Sequence, residues 1–183
     1  MYMDEGLDTG DILLKKEIRI RRRETAGTLH DRLAELAPAA LNEALSLLKQ
    51  GRAPRTPQDA SQATYAPKLK REDGGIVWTA THEEIDRQVR AMNPWPGAFT
   101  LIPTAHGIRK LKVFSCIQHS RVHGQPAEVL RTDKHGILVG AGRGAVLLRE
   151  VQPEGKRRMP AEEFLRGNPI PVGTWLGATQ GSE

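Results

Sequence analysis

Residues 51–73, GRAPRTPQDASQATYAPKLKRED, hold three prolines, many small polar residues and no hydrophobic period. Proline fixes φ and donates no hydrogen bond, so such a stretch neither continues a helix nor sits inside a sheet. It divides the chain. Residues 1–52 and 74–183 must each find their own packing, with a basic linker at 53–73 between them.

The two sides read differently. ILLKKEIRI at 12–20 puts Ile12, Leu14, Ile18 and Ile20 on alternate positions, which predicts a strand with one buried face. Leu29, Leu33, Leu36, Leu41, Leu45 and Leu48 follow at three- and four-residue steps, an apolar stripe down one helical face. Pro38 would remove an interior hydrogen bond, so two helices are expected, the second with Pro38 in its first turn and Gly51 as a left-handed cap. One strand and two helices cannot cover both faces of a sheet. The first part therefore reads as the C-terminal edge of an α/β domain whose earlier strands are missing, with an exposed sheet edge prone to self-pairing.

Beyond the linker, Thr81 and Glu84 form a capping box for THEEIDRQVRAM, whose Ile85, Val89 and Met92 make a stripe that NPWPG ends. Five short apolar runs come next, at 98–102, 110–117, 128–130, 136–140 and 145–151, separated by Gly, Pro, Asp and Asn. That spacing predicts a small antiparallel sheet or barrel.

The N-terminus carries chemistry-bearing residues. Asp4, Glu5, Asp8 and Asp11 surround Gly6 and Gly10. Glycine permits positive φ and close backbone approach, so Gly6 and Gly10 predict a tight, shaped loop. Asp8 alone would be read as a turn former.

No apolar run approaches the ~18 residues of a membrane span, and the start lacks a signal-peptide layout, so a cytoplasmic protein is expected. Cys116 is the single cysteine, which excludes an internal disulfide. Residues 1–73 hold 13 Lys and Arg against 12 Asp and Glu, residues 74–183 hold 14 against 10, so the basic excess lies in the second part. It forms clusters at Lys68, Lys70 and Arg71, at Arg109, Lys110 and Lys112, and at Lys156, Arg157 and Arg158. In a strand Arg109 and Leu111 face one way, Lys110 and Lys112 the other. A polyanionic partner is one reading and a solvated basic surface the other; only the first predicts affinity that falls with salt. Trp78, Trp95 and Trp175 could stack on bases, but core roles are favoured. His30, His82, His106, His119, His123 and His135 read as helix, turn or strand-end residues facing solvent. HSRVH has no companion ligand cluster, so no metal is expected.

Four blocks, MDEGLDTGDIL, TYAPKLKREDGGIVW, NPWPGAF and LLREVQPEGKRRMPAEEFLRG, resemble successive signatures of the methionyl-tRNA formyltransferase family, in order and over nearly the whole chain. The resemblance implies the edge of a Rossmann-like formyltransferase domain, then a linker and an OB-like barrel that helps hold tRNA. It implies formyl transfer from 10-formyltetrahydrofolate to the amino group of methionyl initiator tRNA. It also implies that Asp8 is catalytic, assisting proton transfer as the amine attacks the formyl carbon. Met3, Asp4, Glu5, Gly6, Leu7 and Asp8 would line the folate pocket, chiefly through their backbone. The three basic clusters would bind tRNA, the linker cluster being the better placed. The family's further asparagine and histidine have no match in this sequence, so a truncated chain, inactive alone, is expected; with a full-length domain it would be a monomer. A non-catalytic RNA-binding module, and a related enzyme with another formyl acceptor or a formyl-folate hydrolase, are the alternatives. Two departures stand out: Ala127 where the family pattern suggests glycine, and Arg143 where an acidic residue is usual.

Overall fold

The computed structural model describes residues 1–104 and 107–177. The chain forms two compact units, Met1–Lys68 and Leu69–Glu183. No described helix is long and apolar enough to cross a membrane.

The first unit is built on one helix, α1 (Ala26–Lys49). Thr25 caps its start: Thr25 Oγ1 accepts from the Thr28 N–H at 3.2 Å and Thr28 Oγ1 accepts from the Thr25 N–H at 3.0 Å. Gly51, at φ +64°, ends it. The Gly51 N–H donates to the Leu48 carbonyl at 3.1 Å and the Arg52 N–H to the Leu47 carbonyl at 2.9 Å, which satisfies carbonyls the helix leaves open. The expected break at Pro38 does not occur; Pro38 lies inside α1. Proline deprives the carbonyl four residues earlier of its donor, but Ala34 and Pro38 are both exposed, so water can take that role.

The expected strand at 12–20 is likewise not formed. Among the described residues its only ladder contact is the bridge from Ile12 to Thr56, with N–H···O distances of 2.8 and 3.1 Å. An alternating face is not enough, because a strand also needs a neighbour for its backbone groups. The segment is tied to α1 by side chains instead. Lys16 meets Glu43 at 2.5 Å, and Arg32 reaches the Arg19 carbonyl at 3.3 Å and the Glu24 carboxylate at 2.6 and 2.8 Å. The Arg21 N–H and then Arg32 hold the Glu24 carboxyl below the usual carboxylate range. No residue of α1 is buried, and Leu33, Leu41, Leu45 and Leu48 are exposed. A helix face thus exposes apolar surface in this unit, where the expected sheet edge does not form.

The second unit contains α2 (His82–Ala91), six strands, β1 (Ala98–Thr104), β2 (Gly107–His119), β3 (Val129–Asp133), β4 (Gly136–Gly140), β5 (Ala145–Pro153) and β6 (Met159–Pro160), and α3 (Ala161–Gly167). The strands form one antiparallel sheet in the order β1-β2-β5-β4-β3, with β6 on β5. Each of the five apolar runs seen in the sequence contributes a strand. The Thr81–Glu84 capping box forms as well, with the Glu84 carboxylate accepting from both the Thr81 N–H and hydroxyl at 2.8 Å. A bulge on β2 around Phe114, opposite Glu150 and Val151 of β5, bends the strand.

The core lies between the sheet and its helices. Ile85 and Val89 of α2 and Phe164 of α3 pack with Leu111, Val113, Ile137, Leu148 and Val151 of the strands. β4 and the first half of β5 are buried on both faces, Leu138, Ala145 and Leu147 joining Val122 and Leu130 in a second cluster. The edges of the sheet are bridged: the Val129 N–H donates to the Thr174 carbonyl and the Gly177 N–H to the Leu101 carbonyl, each at 2.8 Å. The segment 173–177 thus spans from β3 to β1.

Candidate functional site

The N-terminal loop is shaped by its own backbone. The Tyr2 N–H donates to the Asp11 carbonyl at 2.9 Å and closes residues 2–11 on themselves. Asp4 organises the turn within, accepting from the Gly6 N–H at 3.1 Å and the Thr9 hydroxyl at 2.7 Å. Gly10 is buried, and a Cβ there would stand 1.9 Å from the Tyr2 carbonyl oxygen, so no other residue fits. The glycines serve close approach. Positive φ falls on Asp8, at +57°.

Gln58 latches this loop, donating through Nε2 to the Asp8 carbonyl at 2.8 Å and the Gly10 carbonyl at 2.7 Å. Arg55 lies 3.7 Å over the Tyr2 ring. Sequence reading passes over both residues, because Gln58 recognises backbone carbonyls some 50 positions away and leaves no residue-type signature.

The latch leaves the tip free. Met3 is 96% and Leu7 93% exposed, and Asp4, Glu5, Gly6 and Asp8 are exposed too. Among the described residues nothing pairs with the Asp8 carboxylate or with the backbone N–H and C=O groups of Met3, Glu5 and Leu7. An exposed carboxylate beside unpaired backbone donors and acceptors can hold the polar edge of a flat heterocycle and exchange a proton with a group next to it.

The basic residues are spread over both units. Lys68 is in the first; Lys70 and Arg71 are in the second, all three exposed. Leu111 is buried, and Lys110 and Lys112 share the opposite face, where Lys110 Nζ sits 4.1 Å over the Phe99 ring. Arg157 and Arg158 are engaged. Arg157 meets Glu163 at 2.5 Å, while Arg158 forks onto Glu150 at 2.6 and 2.5 Å and lies 4.4 Å over the Phe114 ring. Lys156 has no side-chain partner among the described residues.

Several histidines and tryptophans differ from expectation. His82 is buried, its Nδ1 2.9 Å from the Arg143 carbonyl. The chain packs too closely there for a solvent-facing ring, since a Cβ on Gly144 would stand 2.6 Å from Nδ1. His119 is half-buried at the end of β2, with Nε2 buried and unpaired, whereas His30, His123 and His135 are exposed; His106 lies outside the described residues. Only Trp78 has a core role: its Nε1–H donates to Thr100 Oγ1 at 3.1 Å. Trp95 and Trp175 are about half exposed, at 53% and 50%. Trp95 sits in the Pro-Trp-Pro turn after α2 and Trp175 on the bridging segment, both outside the cluster that buries Trp78. Ala127 takes φ +70°, the conformation that the expected glycine would favour.

Comparison with known proteins places these features. The chain matches the formyl transferase C-terminal domain over residues 68–169 and the formyl transferase domain over residues 1–45. It is 49% identical over 178 residues to the methionyl-tRNA formyltransferase of Methylacidiphilum infernorum, covering 97% of this chain and 56% of that protein. It is 44% identical to the methionyl-tRNA formyltransferase of Geobacter sulfurreducens, covering 97% of this chain and 54% of that one. The chain thus spans about half the length of these relatives. Among solved structures, HypX from Aquifex aeolicus has the same fold, with a TM-score of 0.61 at 21% identity over 88% of this chain and 29% of that protein. A second HypX structure, in complex with tetrahydrofolic acid, aligns with a TM-score of 0.61 at 22% identity over 88% of this chain and 28% of that one. Two matched family domains and close identity over nearly its whole length establish that the chain belongs to the formyl transferase family.

Proposed function

We propose that this chain carries part of the machinery that transfers a formyl group from 10-formyltetrahydrofolate to the amino group of methionyl initiator tRNA. The observation that carries the reading is the 49% identity, over 97% of the chain, to a methionyl-tRNA formyltransferase, in a sequence whose N-terminal loop holds an unpaired, exposed Asp8. In this reading the backbone of Met3 to Asp8 meets the pterin ring of the folate. Asp8 handles the proton that must leave the attacking amine as the tetrahedral intermediate collapses. Gln58 keeps the loop in that shape.

The second unit, whose curled sheet we read as an OB-type barrel, would hold the tRNA through the linker lysines and the clusters on β2 and before β6. No metal is invoked. Translation initiation places the protein in the cytoplasm. The resemblance asks for an asparagine and a histidine that nothing in these 183 residues matches. The chain by itself is therefore proposed to bind tRNA without turnover, residues 1–52 serving as one side of the active site.

Formyl transfer to methionyl initiator tRNA, measured for this chain alone and for Asp8→Asn beside a salt-dependent tRNA-binding curve, tests the proposal. Binding that weakens with salt and an absence of turnover are expected. Turnover that depends on Asp8 would keep the chemistry and overturn the inactivity. No binding at any salt concentration would overturn the tRNA role.

A further inference from the structure

Two of the basic clusters meet at one cleft of the second unit. Leu111 lies opposite Pro153, and the Lys110 carbonyl accepts from the Glu154 N–H at 3.2 Å, so the hairpin end of β2 and the turn after β5 come together beside α3. Between them is a cavity of about 620 Å³ lined by Arg109, Lys110 and Lys156. Its floor is apolar. Half-buried Met159 and Pro153 line it, over Phe164 and Ile170 of the core.

The positive charge is not cancelled within the cleft. Glu163 lines it too but is held by Arg157 at 2.5 Å, and Lys110 turns its ammonium onto the Phe99 ring, which leaves Glu154 against Arg109 and Lys156. Among the described residues the side chains of Arg109 and Lys156 have no hydrogen bond or ion pair. A small inorganic anion would satisfy the cations and leave the apolar floor bare. An apolar ligand would do the reverse. A molecule with a phosphate at one end and a flat, weakly polar body at the other meets both.

We propose that this cleft is a nucleotide site, in which Arg109 and Lys156 hold the phosphate of one nucleotide and its base rests on the floor formed by Met159 and Pro153. A free mononucleotide and one nucleotide of a single RNA strand present the same chemistry. The RNA source rests on the tRNA reading above; the free nucleotide does not.

Titration of the isotope-labelled 183-residue chain with AMP, with a short single-stranded oligoadenylate and with inorganic phosphate, followed by NMR, tests this. The wild type is compared with Arg109→Ala/Lys156→Ala and with Lys134→Ala as a control outside the cleft. AMP, the oligoadenylate or both are expected to shift the amides of residues 109–111, 156 and 164–170. The double variant loses at least tenfold in affinity, and the control loses nothing. For RNA the log–log salt slope of the double variant is shallower by about 0.7, one phosphate contact on a single strand. Response to RNA alone assigns the source to RNA, and response to AMP alone to a free nucleotide. Inorganic phosphate binding as tightly as AMP, no response to any ligand, or an unaffected double variant overturns the proposal. Both substituted side chains are exposed, so a melting midpoint equal to wild type is expected and checks that the fold is intact. Asp8→Asn leaves this titration unchanged, which separates its outcome from that of the formyl-transfer assay.

Discussion

Thr100 sits 3% exposed on β1, and its hydroxyl is the acceptor for the indole N–H of Trp78, itself 6% exposed. Replacing Thr100 by valine keeps the shape and removes the acceptor. A buried donor left unpaired costs about 1–3 kcal/mol, of which the added methyl returns about 0.8 kcal/mol at most. No water can easily stand in, because Gly177 closes over the pair so tightly that a Cβ there would be 3.2 Å from the indole Cδ1. A net loss of about 0.2–2 kcal/mol is expected. For a domain near 100 residues, about 5 °C per kcal/mol converts this to a midpoint lower by about 1–10 °C. Thermal unfolding followed by tryptophan fluorescence reads it, with Thr100→Ser as the control that keeps the acceptor and loses only a methyl. A valine variant melting at or above wild type, with the serine variant lower, would show that the hydrogen bond contributes nothing and that packing alone holds Trp78.

Ala127→Gly is expected to raise the urea midpoint slightly, since relief of the strain at φ +70° outweighs, by about 0.5 kcal/mol, the extra freedom glycine gains when unfolded; a lowered midpoint would mean that the Ala127 methyl matters more. Glu84 is held below the usual carboxylate range first by the Thr81 N–H and then by the Thr81 hydroxyl. A depressed folded-state value stabilises above the unfolded value of 4.5 and is lost as pH falls through the folded value, so wild type loses stability in acid and Glu84→Gln has a flatter pH dependence below 4.5. Thr81→Ala removes the cap itself and lowers stability by about 1 kcal/mol at neutral pH, read in the same urea melts. Burial first, and then the neighbouring Asp86 carboxylate 3.8 Å away, pushes the Cys116 thiol up to about 12. Iodoacetamide at pH 8 is therefore expected to leave Cys116 unmodified in the native protein and to label it in urea, a contrast that mass spectrometry reads.

The second unit was legible because its signals are local. Thr81 and Glu84 cap a helix from three residues apart, and each of β1 to β5 announces itself by a short apolar run between turn residues. The first unit was less so, because its signals depend on what stands beside them. The alternation of Ile12, Leu14, Ile18 and Ile20 describes a face, yet no strand among the described residues lies beside it beyond the Thr56 bridge. Pro38 reads as a break only if Ala34 has nowhere else to turn, and on an exposed helix it has water. At the candidate site the acidic loop was visible and its latch was not. Gln58 binds two carbonyls, and any residue type can supply a carbonyl. The cleft of Arg109, Lys110 and Lys156 was hidden for a related reason: its two halves become neighbours only through the register of β2 on β5.

The bridge made by residues 173–177 bears on how the protein is made. A ribosome releases the chain from its N-terminus, so β1 through β5 emerge while the two sheet edges still lack the segment that joins them. Val129 and Leu101 can be satisfied only after the last described residues have left the exit tunnel. The second unit should therefore reach its final stability only once residues 173–177 have emerged, and nascent chains stalled before that point should be digested by protease where the released protein survives.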